Sequence, residues 1–331
     1  MPQQIIDSFG RIHTNLRISV TDRCNIRCFY CMPDENIRFL PQSQVLTFEE
    51  ITRLAHVCAE LGVNKLRITG GEPLVRRELP ELIKMLVDIP DIDDVAITTN
   101  GILLADQARD LKDAGLHRLN ISLDTLNEDV FKRISRRTGI NKVLQGIDAA
   151  LEAGFDRVRL NAIAMADITE DEIIPLVNFA RNKSLEIRFI EFMPLDAEEN
   201  WNVAQVLSGE QIREQIESEF GPLQAANRTD PSQPAVDFEF VDGSGRVGFI
   251  NPVSQPFCSS CNRLRITAEG KFRNCLFSTR EFDAMKILRA EGTDEDLANL
   301  VLECVDAKKA AHGIDSAEFQ RPAKAMYQIG G

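Results

Sequence analysis

Between residues 15 and 192 the chain alternates two hydrophobic rhythms. Short runs with every second residue apolar read as half-buried strands. Longer stretches with apolar residues every three or four positions read as amphipathic helices. Three segments echo one another: AELGVNKLRIT (59–69), KDAGLHRLNIS (112–122) and LEAGFDRVRLN (151–161). Each reads as the end of a helix, a glycine suited to a left-handed cap, and a strand. NLRISV (15–20), DVAITT (94–99) and LEIRFIEF (185–192) bring the predicted strands to six. Helices are predicted near 47–61, 78–88, 104–114, 127–153 with a break at Gly139, and 170–183, and Thr47 with Glu50 has the spacing of a capping box.

Alternating strand and helix predicts a parallel sheet with right-handed crossovers. Six units predict an α/β fold, an incomplete (βα)6 TIM-like barrel, with ligands at the carboxyl ends of its strands. After residue 207 the rhythm stops. One more helix (208–219), the turn-rich loop GPLQAANRTDPSQPAVD, short strands and helices near 281–307 follow. The expected organisation is a partial barrel over 1–207 and a C-terminal extension over 208–331 that caps it.

Strand alternation also assigns faces. Aligning the units places Arg17, Arg67, Asn120, Arg159 and Arg188 at one level, with Ser19, Thr69, Ser122 and Asn161 two residues on. Leu66, Ile68, Leu119, Ile121, Val158 and Leu160 take the opposite face, against the helices. An arginine-lined interior suits a polyphosphate, because the planar guanidinium fork binds phosphate oxygens in pairs. Internal ion pairs are the alternative, although the sequence offers few carboxylates on that face beyond Glu191 nearby.

Composition sets the surroundings. The 331 residues are 44% hydrophobic and 27% charged, without a low-complexity block, as in soluble globular proteins. A net charge of -13 disfavours broad binding to nucleic acid or an acidic membrane surface. The chain shows no run of eighteen apolar residues and no leader-like start, so a cytoplasmic location is expected, with neither membrane nor nucleic acid as partner.

Six of the eight cysteines form two groups, Cys24, Cys28, Cys31 and Cys258, Cys261, Cys275, whereas Cys58 and Cys304 stand alone and read as small buried hydrophobes. In a reducing compartment such groups point to metal. Structural zinc takes four protein ligands, usually in C-x2-C pairs. A cubane iron–sulfur cluster held by three thiolates keeps one iron open for chemistry. The C-x3-C-x2-C of DRCNIRCFYCMP (22–33), just after the first strand, together with GGEP (70–73) after the second, resembles the radical S-adenosylmethionine superfamily. The glycines of GGEP are expected to let the backbone approach a ligand, and Glu72 to accept from its ammonium group. That resemblance implies a 4Fe-4S cluster on Cys24, Cys28 and Cys31 that binds S-adenosylmethionine, with Tyr30, Gly71, Glu72, Ser122 and Met193 in contact with the cofactor.

The second group, in FCSSCNRLRITAEGKFRNCLF (257–277), has C-x2-C-x13-C spacing. A zinc site completed by Cys304 or a histidine is the alternative reading. With TTNG (98–101), EFMPL (191–195) and the terminal Gly-Gly, this segment resembles the GTP 3′,8-cyclase family, which opens molybdenum-cofactor biosynthesis. The resemblance runs from about residue 5 to the last residue. It implies a second 4Fe-4S cluster on Cys258, Cys261 and Cys275, and GTP held by Arg17, Lys65, Arg67, Thr98, Arg159, Arg263, Leu264 and Arg265. A tail ending in Gly330 and Gly331 would reach the site. Lysine is expected more often than arginine at the place of Arg159 in that family. Also implied are an electron donor, a downstream cyclic pyranopterin monophosphate synthase, and a homodimer. A peptide-modifying maturase with an auxiliary cluster is the rival enzyme class; its usual additional C-terminal cysteines and peptide-binding module are not visible in the sequence.

Overall fold

The structure is a computed structural model that describes residues 4–32, 37–195, 201–228, 230–314, 316 and 319–330. All six predicted strands form: β1 (Asn15–Ser19), β2 (Lys65–Thr69), β3 (Asp94–Thr99), β4 (Arg118–Ser122), β5 (Val158–Ala164) and β6 (Glu186–Glu191). They lie parallel and in sequence order. The helices α1 (Phe48–Glu60), α2 (Leu79–Val87), α3 (Ala108–Asp113), α4 (Glu128–Ser135), α5 (Ile140–Glu152) and α6 (Ile173–Asn182) fall between successive strands.

Local chemistry explains the boundaries. Thr47 Oγ1 accepts from Glu50 N at 3.2 Å and Glu50 Oε2 accepts from Thr47 N at 2.8 Å, closing the capping box of α1. Gly62, Gly115 and Gly154 follow α1, α3 and α5 at φ +95°, +93° and +85°, where a side chain would be strained. Gly139, at φ +136°, separates α4 from α5. Helix α3 starts later than periodicity predicts, since residues 102–107 form turns. The apolar faces of the strands and helices meet in one buried core that contains Leu66, Ile68, Leu119, Ile121, Val158 and Leu160, and also Cys58 and Cys304.

The C-terminal segment does more than cap. It supplies α7 (Gly209–Phe220), β7 (Leu223–Ala225), β8 (Val236–Phe240), β9 (Arg246–Ile250), β10 (Arg263–Ile266), β11 (Lys271–Arg273) and β12 (Phe282–Asp283). Helices α8 (Ala284–Arg289), α9 (Asp294–Asp306) and α10 (Met326–Ile329) follow. Strand β9 pairs in parallel with β6 and β10 pairs in parallel with β1, so both edges of the six-stranded sheet are extended. The result is one twelve-stranded sheet in the order β12-β11-β10-β1-β2-β3-β4-β5-β6-β9-β8-β7.

The register corrects the single row of polar residues expected from sequence. Arg265, Arg17, Arg67, Ala96 and Arg118 lie at one level across β10, β1, β2, β3 and β4. Thr98, Asn120, Arg159 and Glu186 form the next level, and Arg188 stands opposite Asn161 rather than Arg159. Strands in a barrel tilt and stagger, so a level climbs in two-residue steps around the sheet while each side chain keeps its face.

Candidate functional site

One cavity of about 680 Å³ occupies the polar face of the sheet, and both cysteine groups line it. Cys24, Cys28 and Cys31 sit on the loop that leaves the carboxyl end of β1. The second group does not share that end. Asn15, which opens β1, is opposite Arg263, so Cys261 lies beside the amino end of β1. Strand β11 runs back antiparallel, with Arg273 opposite Arg265, and returns Cys275 to the same end. The expectation that ligands gather only at the carboxyl ends is therefore corrected: a five-residue strand, roughly 13 Å at ~3.3 Å per residue, separates the two groups along the barrel.

At the first group, the loop after β2 packs onto the root of the cysteine loop. Gly71 N donates to Thr21 O and Glu72 N to Arg23 O, both at 2.7 Å. A Cβ on Gly71 would stand 2.4 Å from Arg23 O, and one on Gly70 2.7 Å from Thr21 O. These glycines thus let two chain segments touch, and both also line the cavity. The Glu72 carboxylate is buried and accepts from Leu74 N at 3.0 Å, Thr99 Oγ1 at 2.7 Å and Asn100 N at 2.7 Å. Burial lifts it to about 7 against the pull of those donors. In the structure Glu72 ties the exit of β2 to that of β3, and Asn100 Nδ2 carries the connection on to Asn25 Oδ1 at 2.7 Å and Cys24 Sγ at 3.7 Å. Tyr30 donates to Asp124 Oδ2 at 2.6 Å, and Asp124 Oδ1 accepts from Ile163 N at 2.8 Å. Gly71, Ser122 and Met193 line the same cavity.

The thiols at this end resist ionisation without a cation. Burial pushes Cys24 up to about 11, with the Glu72 charge adding to it, and Cys31 up to about 12, and it raises Cys28 as well. Among the described residues no three His, Cys, Asp or Glu side chains converge closely enough to hold a single metal ion. Three soft thiols around one cavity are the donor set of an iron–sulfur cluster, whose iron atoms stand apart from one another.

The second group is electropositive. Arg263 Nε and Nη2 each approach Cys261 Sγ at 3.4 Å, and Lys308 Nζ lies 3.6 Å from it. Burial raises the Cys261 thiol, but Arg263 and Lys308 outweigh it and bring the group down to about 6. Cys304 is packed in the core and is not among the cavity residues, whereas His312 is.

Four of the cations are held by carboxylates. Arg159 and Arg188 both pair with Glu186, at 2.8 and 2.6 Å, Lys65 pairs with Asp230 at 2.6 Å, and Arg118 pairs with Asp94. For these residues the internal ion-pair reading holds. Asp230 falls to about 2 because its bonds to Lys65 and Ser232 outweigh burial. Arg17 and Arg67, in contrast, have buried Nε atoms with no partner and no ion pair among the described residues. Burial and the neighbouring arginines pull Arg67 down to about 9 and Arg17 well below its ordinary value. An anion between them would relieve both strains. Thr98 lines the cavity near them. The Leu264 side chain does not: alternation turns it away from Arg263 and Arg265 into the core, which leaves its backbone for any contact with the nucleotide.

The tail enters the barrel. Met326 and Tyr327 line the cavity, and the carbonyl of Gly330 accepts from Arg265 Nη1 at 2.7 Å. Gly330 adopts φ +82°, and a Cβ there would stand 2.8 Å from Ser19 Cβ and 3.0 Å from Thr69 Oγ1. Gly331 lies outside the described residues.

Comparison with known proteins accords with this geometry. The Radical SAM superfamily matches residues 18–180, and Molybdenum Cofactor Synthesis C matches residues 185–314. A GTP 3′,8-cyclase of Rhodopirellula baltica is 51% identical over 333 aligned residues, covering 100% of this chain and 93% of its own. The chain belongs to the GTP 3′,8-cyclase family. The mitochondrial GTP 3′,8-cyclase of Arabidopsis thaliana is 41% identical over 99% of this chain and 83% of its own. In fold, Streptococcus suis SuiB resembles the chain with a TM-score of 0.64 at 13% identity, over 92% of this chain and 68% of its own.

Several residues of this GTP 3′,8-cyclase family member escaped the sequence reading. Asp94, Arg118 and Glu186 share the cavity face with the arginines, and counting alternate positions from Ala96, Asn120 and Arg188 would have found them. Asp124, Asn100, His13 and Lys308 carry no such signal, because their contacts join distant parts of the chain.

Proposed function

We propose that this chain is a GTP 3′,8-cyclase, converting GTP to (8S)-3′,8-cyclo-7,8-dihydroguanosine 5′-triphosphate, the first step toward molybdenum cofactor. The observation that carries this reading is that Arg17 and Arg67, without an ion pair among the described residues, stand in one cavity lined by two cysteine triads. When bound, the cluster at Cys24, Cys28 and Cys31 supplies the electron that cleaves S-adenosylmethionine to a radical able to take a ribose hydrogen. The chain's task is to aim and enclose. Tyr30, Gly71, Ser122 and Met193 surround the S-adenosylmethionine, and Glu72 fixes the loops that carry it. Arg17, Arg67 and Arg265, assisted by Thr98, take the triphosphate. Lys65 and Arg159 join them by exchanging a carboxylate for a phosphate oxygen.

In the same reading, Cys258, Cys261 and Cys275 would hold a second 4Fe-4S cluster, and three thiolates would leave it an iron able to bind the guanine. Two nitrogens of Arg263 are turned to Cys261, so this arginine serves the cluster as well as the nucleotide. An electron donor, a homodimer and a downstream cyclic pyranopterin monophosphate synthase complete the proposal. Among the described residues no helix is long and apolar enough to cross a membrane.

Anaerobic reconstitution tests this. About seven to eight irons per chain, deoxyadenosine formed with GTP, and a cyclic nucleotide product are expected. Zinc at the second group, or cleavage indifferent to GTP, would overturn it.

A further inference from the structure

We infer that Lys308, held by a neutral His13, is a positioning residue that places a positive charge on the sulfur of Cys261 and sets the reduction potential of the second cluster. The inference rests on the reading that Cys258, Cys261 and Cys275 hold iron and sulfide. The donor set fits that group: three free cysteines line one cavity wall, and the fourth nearby thiol, Cys304, is sealed in the core.

The side chain of Lys308 is buried, and its three ammonium protons have defined acceptors. Nζ lies 2.9 Å from His13 Nε2 and 3.0 Å from Arg263 O, while Cys261 offers its carbonyl at 3.3 Å and its sulfur at 3.6 Å. The tautomer of His13 follows from its other contact. Nδ1 lies 3.0 Å from Arg11 O, which can only accept, so Nδ1 carries the proton and Nε2 presents a lone pair to Lys308. Burial and the Lys308 charge hold His13 down to about 3, so it stays neutral. Burial lowers the Lys308 ammonium from its ordinary value while the charges of Cys261 and Cys275 support it, and the neutral His13 gives it an acceptor that is not a carboxylate.

The rest of the cage keeps this charge in place. Arg11 Nε bonds Asp7 Oδ2 at 2.6 Å, and its terminal nitrogens hold Cys258 O at 2.8 Å, Ala310 O at 3.0 Å and Lys309 O at 2.8 Å. One buried arginine thus pins both the backbone of a cysteine ligand and the residues that follow Lys308. The N-terminal segment, which no part of the sequence reading linked to chemistry, closes this end of the barrel around the second triad.

Adding an electron to a cluster adds negative charge to its thiolates, and a fixed cation beside one of them stabilises the reduced state. The cation contacts at sulfur differ between the triads: Cys261 Sγ meets Lys308 and Arg263, whereas Cys24 Sγ meets the amide of Asn100 and the nearby Arg27 is bonded to the Cys24 carbonyl at 2.8 Å. Lys308 therefore raises the potential of the second cluster alone.

The test is a redox titration of the reconstituted protein followed by electron paramagnetic resonance. The Cys24→Ala/Cys28→Ala/Cys31→Ala chain assigns the second cluster's signal. Lys308→Met should move that cluster's midpoint to more negative potential with iron content kept and the first cluster unmoved. Lys308→Gln, which keeps a donor but no charge, should move it the same way and serves if the methionine variant does not fold. Lys308→Arg should stay near the parent. An unchanged midpoint in an iron-replete neutral variant, or an equal shift in both clusters, overturns the inference. Absence of iron from the second triad in the unaltered chain overturns the reading beneath it.

Discussion

Arg17 and Arg67 differ from Lys65, Arg118, Arg159 and Arg188 in having no carboxylate partner among the described residues. Each charged hydrogen bond that such a guanidinium makes to phosphate contributes about 1.5 to 3 kcal/mol, a tenfold to hundredfold change in affinity. Arg17→Ala and Arg67→Ala are therefore expected to weaken GTP binding by about that factor, measured by equilibrium dialysis, with iron content unchanged. Arg159→Ala should cost less, because Arg159 must first leave Glu186. Equal losses at all three positions would show that the ion pair does not persist in solution. Glu72 gives a second expectation at this scale. Its carboxyl is raised to about 7 in the folded chain against its ordinary 4.5, so the native state holds a proton that the unfolded chain has released. Its contribution to stability is full below the unfolded value and is lost as pH rises through about 7. Glu72→Gln should melt with a weaker pH dependence than the parent between about pH 5 and 8.

Among the elements, α10 and the glycine after it do the most with the fewest residues. Gly330→Ala places a methyl against Ser19 at a backbone angle that alanine avoids, so the tail should withdraw from Arg265. Folding and iron content are expected to persist while cyclic product falls several-fold, measured by anaerobic turnover. Full activity in Gly330→Ala, or in a chain ending at Ile329, would make the tail an ordinary frayed end. The six strands and their helices were legible because alternation, glycine caps and the Thr47 box are local signals. The register was not. A two-residue stagger leaves every side chain on its face, so periodicity cannot tell Arg118 from Asn120 as the neighbour of the Arg67 level. The cysteine triads were legible as ligands by spacing, but their placement at opposite ends of β1 was not. It depends on β10 pairing with β1 across more than two hundred residues of sequence.

The whole molecule is an acidic chain, net -13, that turns Arg17 and Arg67, unpaired among the described residues, inward. Its sheet has a history as well as a shape. Strands β1 through β6 are complete once the chain reaches Glu191, but the strand that covers β6 begins at Arg246 and the one that covers β1 begins at Arg263. A chain emerging from the ribosome therefore carries two bare parallel edges for as long as synthesis of the intervening segment takes. Unpaired edges of this kind recruit other strands. Residues 1–207 expressed alone should collect in aggregates or demand a chaperone, and adding 208–331 in trans after refolding should rescue little. A soluble, monomeric 1–207 fragment with native-like circular dichroism would show that the edges protect themselves. If they do not, the last third of the chain, besides furnishing half of the candidate active site, is the seal that makes the first two thirds safe to have made.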